Sequence, residues 1–230
     1  MRTSTLKRWT IGLAQLALLL AVLGGLIWGG ITGWAPSRKD YPVQGLYVSA
    51  SDGDLAWPTL AAMGADFAYV RASAGGATRD PRFAANIKGA RLSGMRFGPV
   101  HEFSLCAGEA QQAELFITTV PRDPAMLPPV VSLELDEACK SRPDRAMLLG
   151  ELNTFLNQIE NHSGKPALLR ISSDFESAYQ ISDGLARTVW LLGDFVPPDY
   201  AAKRWVMWQS SSFYRINGAP QGVRWNVVRP

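Results

Sequence analysis

The sequence predicts an α/β domain on a largely parallel sheet, arranged as an incomplete TIM-like (β/α) barrel and preceded by one transmembrane helix. Three observations lead there. No residue from Trp9 to Ser37 is charged, and the apolar core of that stretch, Ile11 to Ile31, is about the 20 residues that a membrane-spanning helix needs. Beyond it, short apolar runs alternate with segments of helical spacing, the pattern of βα units. Finally, 230 residues of which 47% are hydrophobic suffice for one medium-sized domain with a buried core. A doubly wound open sheet is the alternative arrangement.

The N-terminal region divides into a cytoplasmic stretch (residues 1–9), an anchor (10–33) and a linker (34–42), with the folded domain over 43–230. The apolar run exceeds the h-region of a signal peptide, and Trp34-Ala35-Pro36 is a poor cleavage site. An uncleaved anchor follows; cleavage is the alternative, and both export the domain. Trp9, Trp28 and Trp34 sit near the ends of the run, where interfacial aromatics belong. Arg2, Lys7, Arg8 and the α-amine precede the helix, and Arg38 and Lys39 follow it. This slight bias puts the N-terminus inside. The expectation is a single-pass protein of the inner (cytoplasmic) membrane with a periplasmic or otherwise extracytoplasmic domain.

Net charge is +3, yet five of the 23 Lys+Arg and one of the 20 Asp+Glu lie before Tyr41. The remainder holds 18 basic and 19 acidic residues, a net charge of −1. That balance carries no electrostatic footprint for nucleic acid. Cys106 and Cys139 are the only cysteines, and in an exported domain two cysteines suggest one disulfide; two buried thiols are the alternative. With His101 and His162 as the only histidines, no metal site or cofactor is expected. The oligomeric state is not legible.

Val43 to Ala50 reads as a first strand and Asp52-Gly53-Asp54 as a turn. Trp57 to Met63 is helical, with Pro58 at an early helical position where it is tolerated. Ala65 to Ala72 is a second strand, and Pro81 to Ser93 a helix ended by Gly94. Met95 to Phe103 is a third strand. Glu109 to Val120 is an amphipathic helix with Ala113, Phe116, Ile117 and Val120 on its apolar side. Pro143 to His162 is the longest domain helix, terminated by Gly164. Ala167 to Ser172 is a fifth strand; Val189 to Leu192, Trp205 to Gln209 and Trp225 to Val228 are later short strands.

The fourth strand carries the chemistry. Leu127 to Cys139 places Ser132, Glu134 and Asp136 at alternate positions, so a strand would turn all three to one face. A carboxylate on the inner face of a buried strand is costly unless paired or used. In a barrel or an open α/β sheet, sites form at the carboxyl ends of strands. Gly75-Gly76, His101-Glu102 and Glu134 to Cys139 all fall at such ends. A lone His at a strand end is more often a hydrogen-bonded structural residue than a base. Trp190, Trp205, Trp208 and Trp225 are more often core than exposed binding surface.

These pieces together resemble glycoside hydrolase family 25, the muramidase-type lysozymes. The resemblance runs from about Gln44 to Val228. It is carried by Gly45-Leu46-Tyr47-Val48-Ser49, Trp57, Asp66 to Ser73, Asp80-Pro81-Arg82-Phe83, Gly98-Pro99-Val100-His101, Leu127 to Val131, Trp208-Gln209 and Trp225-Asn226. It implies a somewhat flattened eight-stranded barrel, with peptidoglycan glycan strands as the partner and their β-1,4 bond as the substrate. It also implies an acidic site in which Glu134 matches the proton donor. Ser132 stands where the family has the donor's partner aspartate, Tyr47 where it has the first-strand aspartate, and Arg224 where it has the last-strand aspartate. The second-strand glutamate falls near Ala74. Most of the catalytic acids are thus replaced.

Serine donates a hydrogen bond but supplies no negative charge for an oxocarbenium-like transition state. If Arg224 lay beside Glu134, it would lower the pKa of that acid, whereas a general acid needs the opposite shift. Asp136 or Glu102 are candidate substitutes for the lost aspartate. Tyr47, His101, Ser132, Trp208, Arg224 and Asn226 are candidate substrate-binding residues. In a barrel the loops holding Cys106 and Cys139 are neighbours, which favours their pairing. Three functions follow: a membrane-anchored, catalytically impaired muramidase-like domain that binds glycan strands; an active muramidase using Glu134 with Asp136 or Glu102; and a non-catalytic protein-binding scaffold.

Overall fold

A computed structural model describes residues 2–230, with side chains from residue 15 onward. The expected charges of Arg2, Lys7 and Arg8 and the interfacial Trp9 fall outside the described side chains. The chain forms two units, Met1–Trp34 and Ala35–Pro230. The first is one helix, α1 (Arg2–Thr32). Its window Gln15–Thr32 has a mean hydropathy of 1.8, long and apolar enough to cross a membrane.

The second unit runs β1 (Gln44–Val48), α2 (Trp57–Ala62), β2 (Phe67–Ala74), β3 (Thr78–Arg79), α3 (Phe83–Leu92), β4 (Arg96–Glu102) and α4 (Glu109–Thr119). It continues through β5 (Val130–Leu133), α5 (Arg145–Ser163), β6 (Leu168–Ile171), α6 (Ser173–Tyr179), α7 (Ile181–Gly184), β7 (Thr188–Leu192), β8 (Met207–Tyr214) and β9 (Val223–Val228). Every strand and helix expected in the domain is present. β3, α6 and α7 were not anticipated; they are too short to set up a visible period.

The sheet order is β1-β9-β8-β7-β6-β5-β4-β2-β3, and β1 also pairs with β2. Eight strands therefore close a ring, with β3 appended to β2. The expected incomplete barrel is corrected to a closed one. What departs from a (β/α) repeat is β9, which is antiparallel to both β8 and β1. The link from Tyr214 to Val223 holds no helix, and a parallel return needs a crossover of a dozen or more residues.

Inside the ring, Tyr47, Phe67, Tyr69, Val100, Val130, Trp190 and Met207 form one apolar cluster. Gly98 is required there, because a Cβ at that position would lie 2.6 Å from the Tyr69 ring. Outside the ring, α5 buries Leu148, Leu152, Phe155, Leu156 and Ile159, an i, i+4, i+7 stripe. Asp144 caps its start by accepting from the Met147 N–H at 3.0 Å, and Gly164, at φ 70°, ends it in the left-handed region. His162, in the last turn of α5, donates from Nε2 to the Val120 carbonyl at 2.8 Å. The linker stretch is tied down: Arg38 pairs with Asp66 at 2.9 Å, and the Gln44 amide donates to the Pro36 and Tyr41 carbonyls, both at 2.9 Å.

Candidate active site

The carboxyl ends of β2, β4, β5, β6 and β7 meet the start of β9 at one mouth of the barrel. Two adjoining cavities open there. One, of about 450 Å³, is lined by Ala74, Glu102, Ser104, Ser132 and Asp136 among others. The other, of about 390 Å³, is lined by Arg170, Asp194, Gln209, Ser212 and Arg224 among others. Glu134 lines both.

β5 ends at Leu133, so the alternation read from the sequence stops before Glu134. Ser132 and Glu134 still meet, the serine hydroxyl donating to Glu134 Oε1 at 2.9 Å. Asp136 lies in the following loop, where it accepts the Ala138 N–H at 2.8 Å.

Arg170 is the residue that the sequence reading missed. It is register partner of Ser132 across the parallel β5–β6 pair, which turns both side chains to the same face. The guanidinium is 2% exposed. Its Nη1 donates to Glu134 Oε1 and, at 2.7 Å, to Ser132 Oγ; its Nη2 donates to Gln209 Oε1 at 2.6 Å. It stands 4.8 Å from the Tyr47 ring centre and 5.6 Å from that of Trp190. Burial by itself would raise the pKa of Glu134. The charge and hydrogen bond of Arg170, the Ser132 hydroxyl and the more distant charge of Arg224 outweigh it and hold the carboxyl below its ordinary value.

The pairing considered between Glu134 and Arg224 is corrected accordingly. Arg224 donates to Asp52 at 3.0 Å, to Ser49 Oγ at 3.2 Å and to the Tyr47 carbonyl at 3.2 Å, and stacks 4.0 Å above the Tyr47 ring. Asp52, on the turn after β1, captures the arginine first. Glu102 is also engaged. It accepts from the Tyr47 hydroxyl at 2.6 Å and from Arg71 at 3.1 Å, while Arg71 reaches Asp80 at 2.9 Å. Burial, reinforced by the charge of Glu102, raises the Tyr47 pKa and keeps the phenol protonated.

The remaining candidates sit in the barrel wall. Tyr47, His101 and Asn226 are 0% exposed and Trp208 is 1% exposed, so none offers a face to the cavities. Trp190, Trp205 and Trp225 are buried too, in keeping with a core role. His101 Nδ1 accepts from Ser73 Oγ at 2.8 Å, and its Nε2–H donates to Gln112 Oε1 at 3.1 Å. Burial pushes its pKa down to about 4, against an ordinary 6.5. In the folded state it is therefore neutral down to that pH, while the unfolded chain already binds the proton near 6.5. Stability is expected to fall by about 2–3 kcal/mol as pH drops from 6.5 to 4. Denaturant titrations across that range should show the limb in the wild type and its loss in His101→Gln.

Cys106 and Cys139 form a disulfide with Cα atoms 5.8 Å apart. It ties the loop after β4 to the loop after β5, both of which border the first cavity. Among the described residues, no group of three or more His, Cys, Asp or Glu is placed to hold a metal ion.

The family described as Glycosyl hydrolases family 25 matches residues 47–219, well over half of the chain. The uncharacterized protein YegX of Escherichia coli (strain K12) is 24% identical over 194 residues, covering 81% of this chain and 70% of its own. Lysozyme M1 of Streptomyces globisporus is 32% identical over 124 residues, half of this chain and 40% of its own. Among solved structures, a family 25 glycosyl hydrolase from Bacillus anthracis superposes with a TM-score of 0.78 at 27% identity, covering 86% of this chain and 92% of its own. The chain belongs to glycosyl hydrolase family 25.

Proposed function

We propose that this is a membrane-anchored family 25 domain that binds peptidoglycan glycan strands at the barrel mouth and is catalytically impaired. The observation that carries this reading is the Arg170–Glu134 pair. A general acid must hold its proton at working pH and release it to the leaving oxygen. Glu134 is instead stabilised as a carboxylate by Arg170 and Ser132. The group beside it is a hydroxyl, which supplies no charge for the oxocarbenium-like transition state. A lost acid–base partner alone typically costs about 10²–10⁴ in rate. Glu102 and Asp136, the candidate substitutes, are engaged with Tyr47 and Arg71 and with the Ala138 N–H respectively.

The helix α1 is read as the anchor, crossing the inner membrane once with its N-terminus inside and the barrel periplasmic. Its length and composition support this, and the disulfide suits an oxidising compartment.

The test uses full-length protein in detergent with purified peptidoglycan sacculi. The expected result is co-sedimentation with sacculi and no fall in turbidity above buffer. Lysis by the wild type that Glu134→Gln abolishes would overturn the impairment. Absence of both lysis and co-sedimentation would leave a protein-binding scaffold.

A further inference from the structure

The two ends of the barrel differ in charge. Glu134, Asp136, Asp174 and Asp194 line the cavities at the mouth. At the other end, where the parallel strands begin and β9 stops, basic side chains gather. Arg96 opens β4, Arg122 lies on the loop before β5, Arg204 comes shortly before β8, and Arg229 follows β9. Lys39 belongs to the segment that leads into β1.

Among the described residues, none of these five forms a salt bridge. Lys39, Arg96, Arg122 and Arg204 are exposed, and the Arg229 guanidinium lies 3.8 Å over the Trp205 ring. The nearby acids are largely engaged: Asp66 pairs with Arg38, and Asp123 with Arg91. Lys165 donates to the Pro124 and Met126 carbonyls, so its charge adds to the excess. Cationic side chains gathered at one end without counter-ions attract an anionic surface.

An apolar recess of about 80 Å³ opens at the same end, with Arg96 at its rim and Phe67, Leu127, Met207 and Val228 among its walls. Its volume is well under the roughly 300–1,000 Å³ of a ligand pocket. A basic rim around so shallow an apolar centre suits contact with lipid headgroups, not extraction of a lipid.

Chain length supplies the partner. The Gln44 side chain holds the Pro36 carbonyl, and Arg38 is tied to Asp66, so the segment entering β1 is fixed to this end of the barrel. The helix α1 ends at Thr32, and the four residues from there to Pro36 extend at most about 14 Å. With α1 read as the anchor, the headgroups around it are an anionic surface within reach of this end.

We propose that this end of the barrel docks on the anionic phospholipid headgroups of the bilayer that holds α1, through Lys39, Arg96, Arg122, Arg204 and Arg229. This rests on the anchor reading above and adds an orientation, with the mouth turned away from the membrane.

The test reconstitutes full-length protein into vesicles of phosphatidylcholine, with and without phosphatidylglycerol, and follows flotation and amide hydrogen exchange. The helix α1 should float the protein with both vesicles. With phosphatidylglycerol, exchange over residues 121–129 and 203–206 should slow roughly 3- to 10-fold relative to phosphatidylcholine alone, while residues 135–144 at the mouth stay unchanged. Salt at about 1 M, where the screening length falls to about 3 Å, should remove the difference. The triple variant Arg96→Glu/Arg122→Glu/Arg204→Glu should remove it too, with circular dichroism checking its fold. Flotation with equal exchange in the two vesicles overturns the docking and leaves the anchor standing. Slowed exchange that survives both the salt and the triple variant also overturns it, because the contact would then not be electrostatic. Failure to float with either vesicle overturns both readings.

Discussion

Arg170→Ala is expected to lower stability by about 3–5 kcal/mol, the range for breaking a buried ion-pair network from its more buried side. The guanidinium is 2% exposed and fills space over Tyr47 and Trp190. Its loss opens a cavity in the barrel and leaves buried Gln209 Oε1 and Ser132 Oγ without their donor. The stranded carboxylate contributes less, because the side chain of Glu134 is 48% exposed and regains water. Arg170→Met keeps much of the volume and should cost less. Chemical denaturation at neutral pH measures both, and a loss under about 1 kcal/mol for the alanine variant would contradict the network.

The pH dependence has a definite sign. The pKa of Glu134 is depressed in the folded state from an ordinary 4.5. The pair's contribution is therefore fully present above that value and fades as pH falls below it. The gap between wild type and Arg170→Met should narrow in that acid range. A proton-donor glutamate free of such a pair would behave in the opposite way, and its replacement would leave stability unchanged or improved.

Removing the disulfide is expected to cost about 3–4 kcal/mol, from the loop closed by two cysteines 33 residues apart. For a domain of this size that lowers Tm by roughly 10 °C. Calorimetry of Cys106→Ser/Cys139→Ser, and of the wild type under reductant, should give the same shift. A change below about 2 °C in both would mean that the loops are held without the bond. The reduced form should also lose order first between Glu134 and Arg145, since β5 ends at Leu133 and α5 begins only at Arg145.

Much of this molecule is legible in its sequence because the signals are local. Apolar runs and the helix-ending Gly94 and Gly164 mark elements without knowledge of their partners, whereas the Asp144 cap shows only in the fold. The disulfide follows from adjacent strand ends, and the meeting of Ser132 with Glu134 from their spacing. What is not legible depends on register. Nothing in Leu168-Leu169-Arg170-Ile171 states that Arg170 lies beside Ser132 rather than one residue off, and one residue of slip reverses the face. A charge inside an apolar strand was itself the clue that a buried partner must exist. The resemblance sets Arg224 at the position of a last-strand acid, which raises a pairing with Glu134, while Asp52 reads from the sequence only as part of a turn. Its hydrogen bonds with Ser49 and Arg224 are set by the fold.

The closing strand has a kinetic consequence. β9 is last in chain order, yet it lies between β8 and β1, pairing residues such as Gln44 with Val227. The ring cannot shut until the end of the domain has emerged and found its beginning. Contacts that span nearly the whole domain make folding slow relative to locally paired proteins. Until then the edges of β1 and β8 lie open, the kind of exposed strand to which other chains pair. The nascent domain is thus most at risk of aggregation just before completion, and a chaperone that shields these two edges would protect it at that stage.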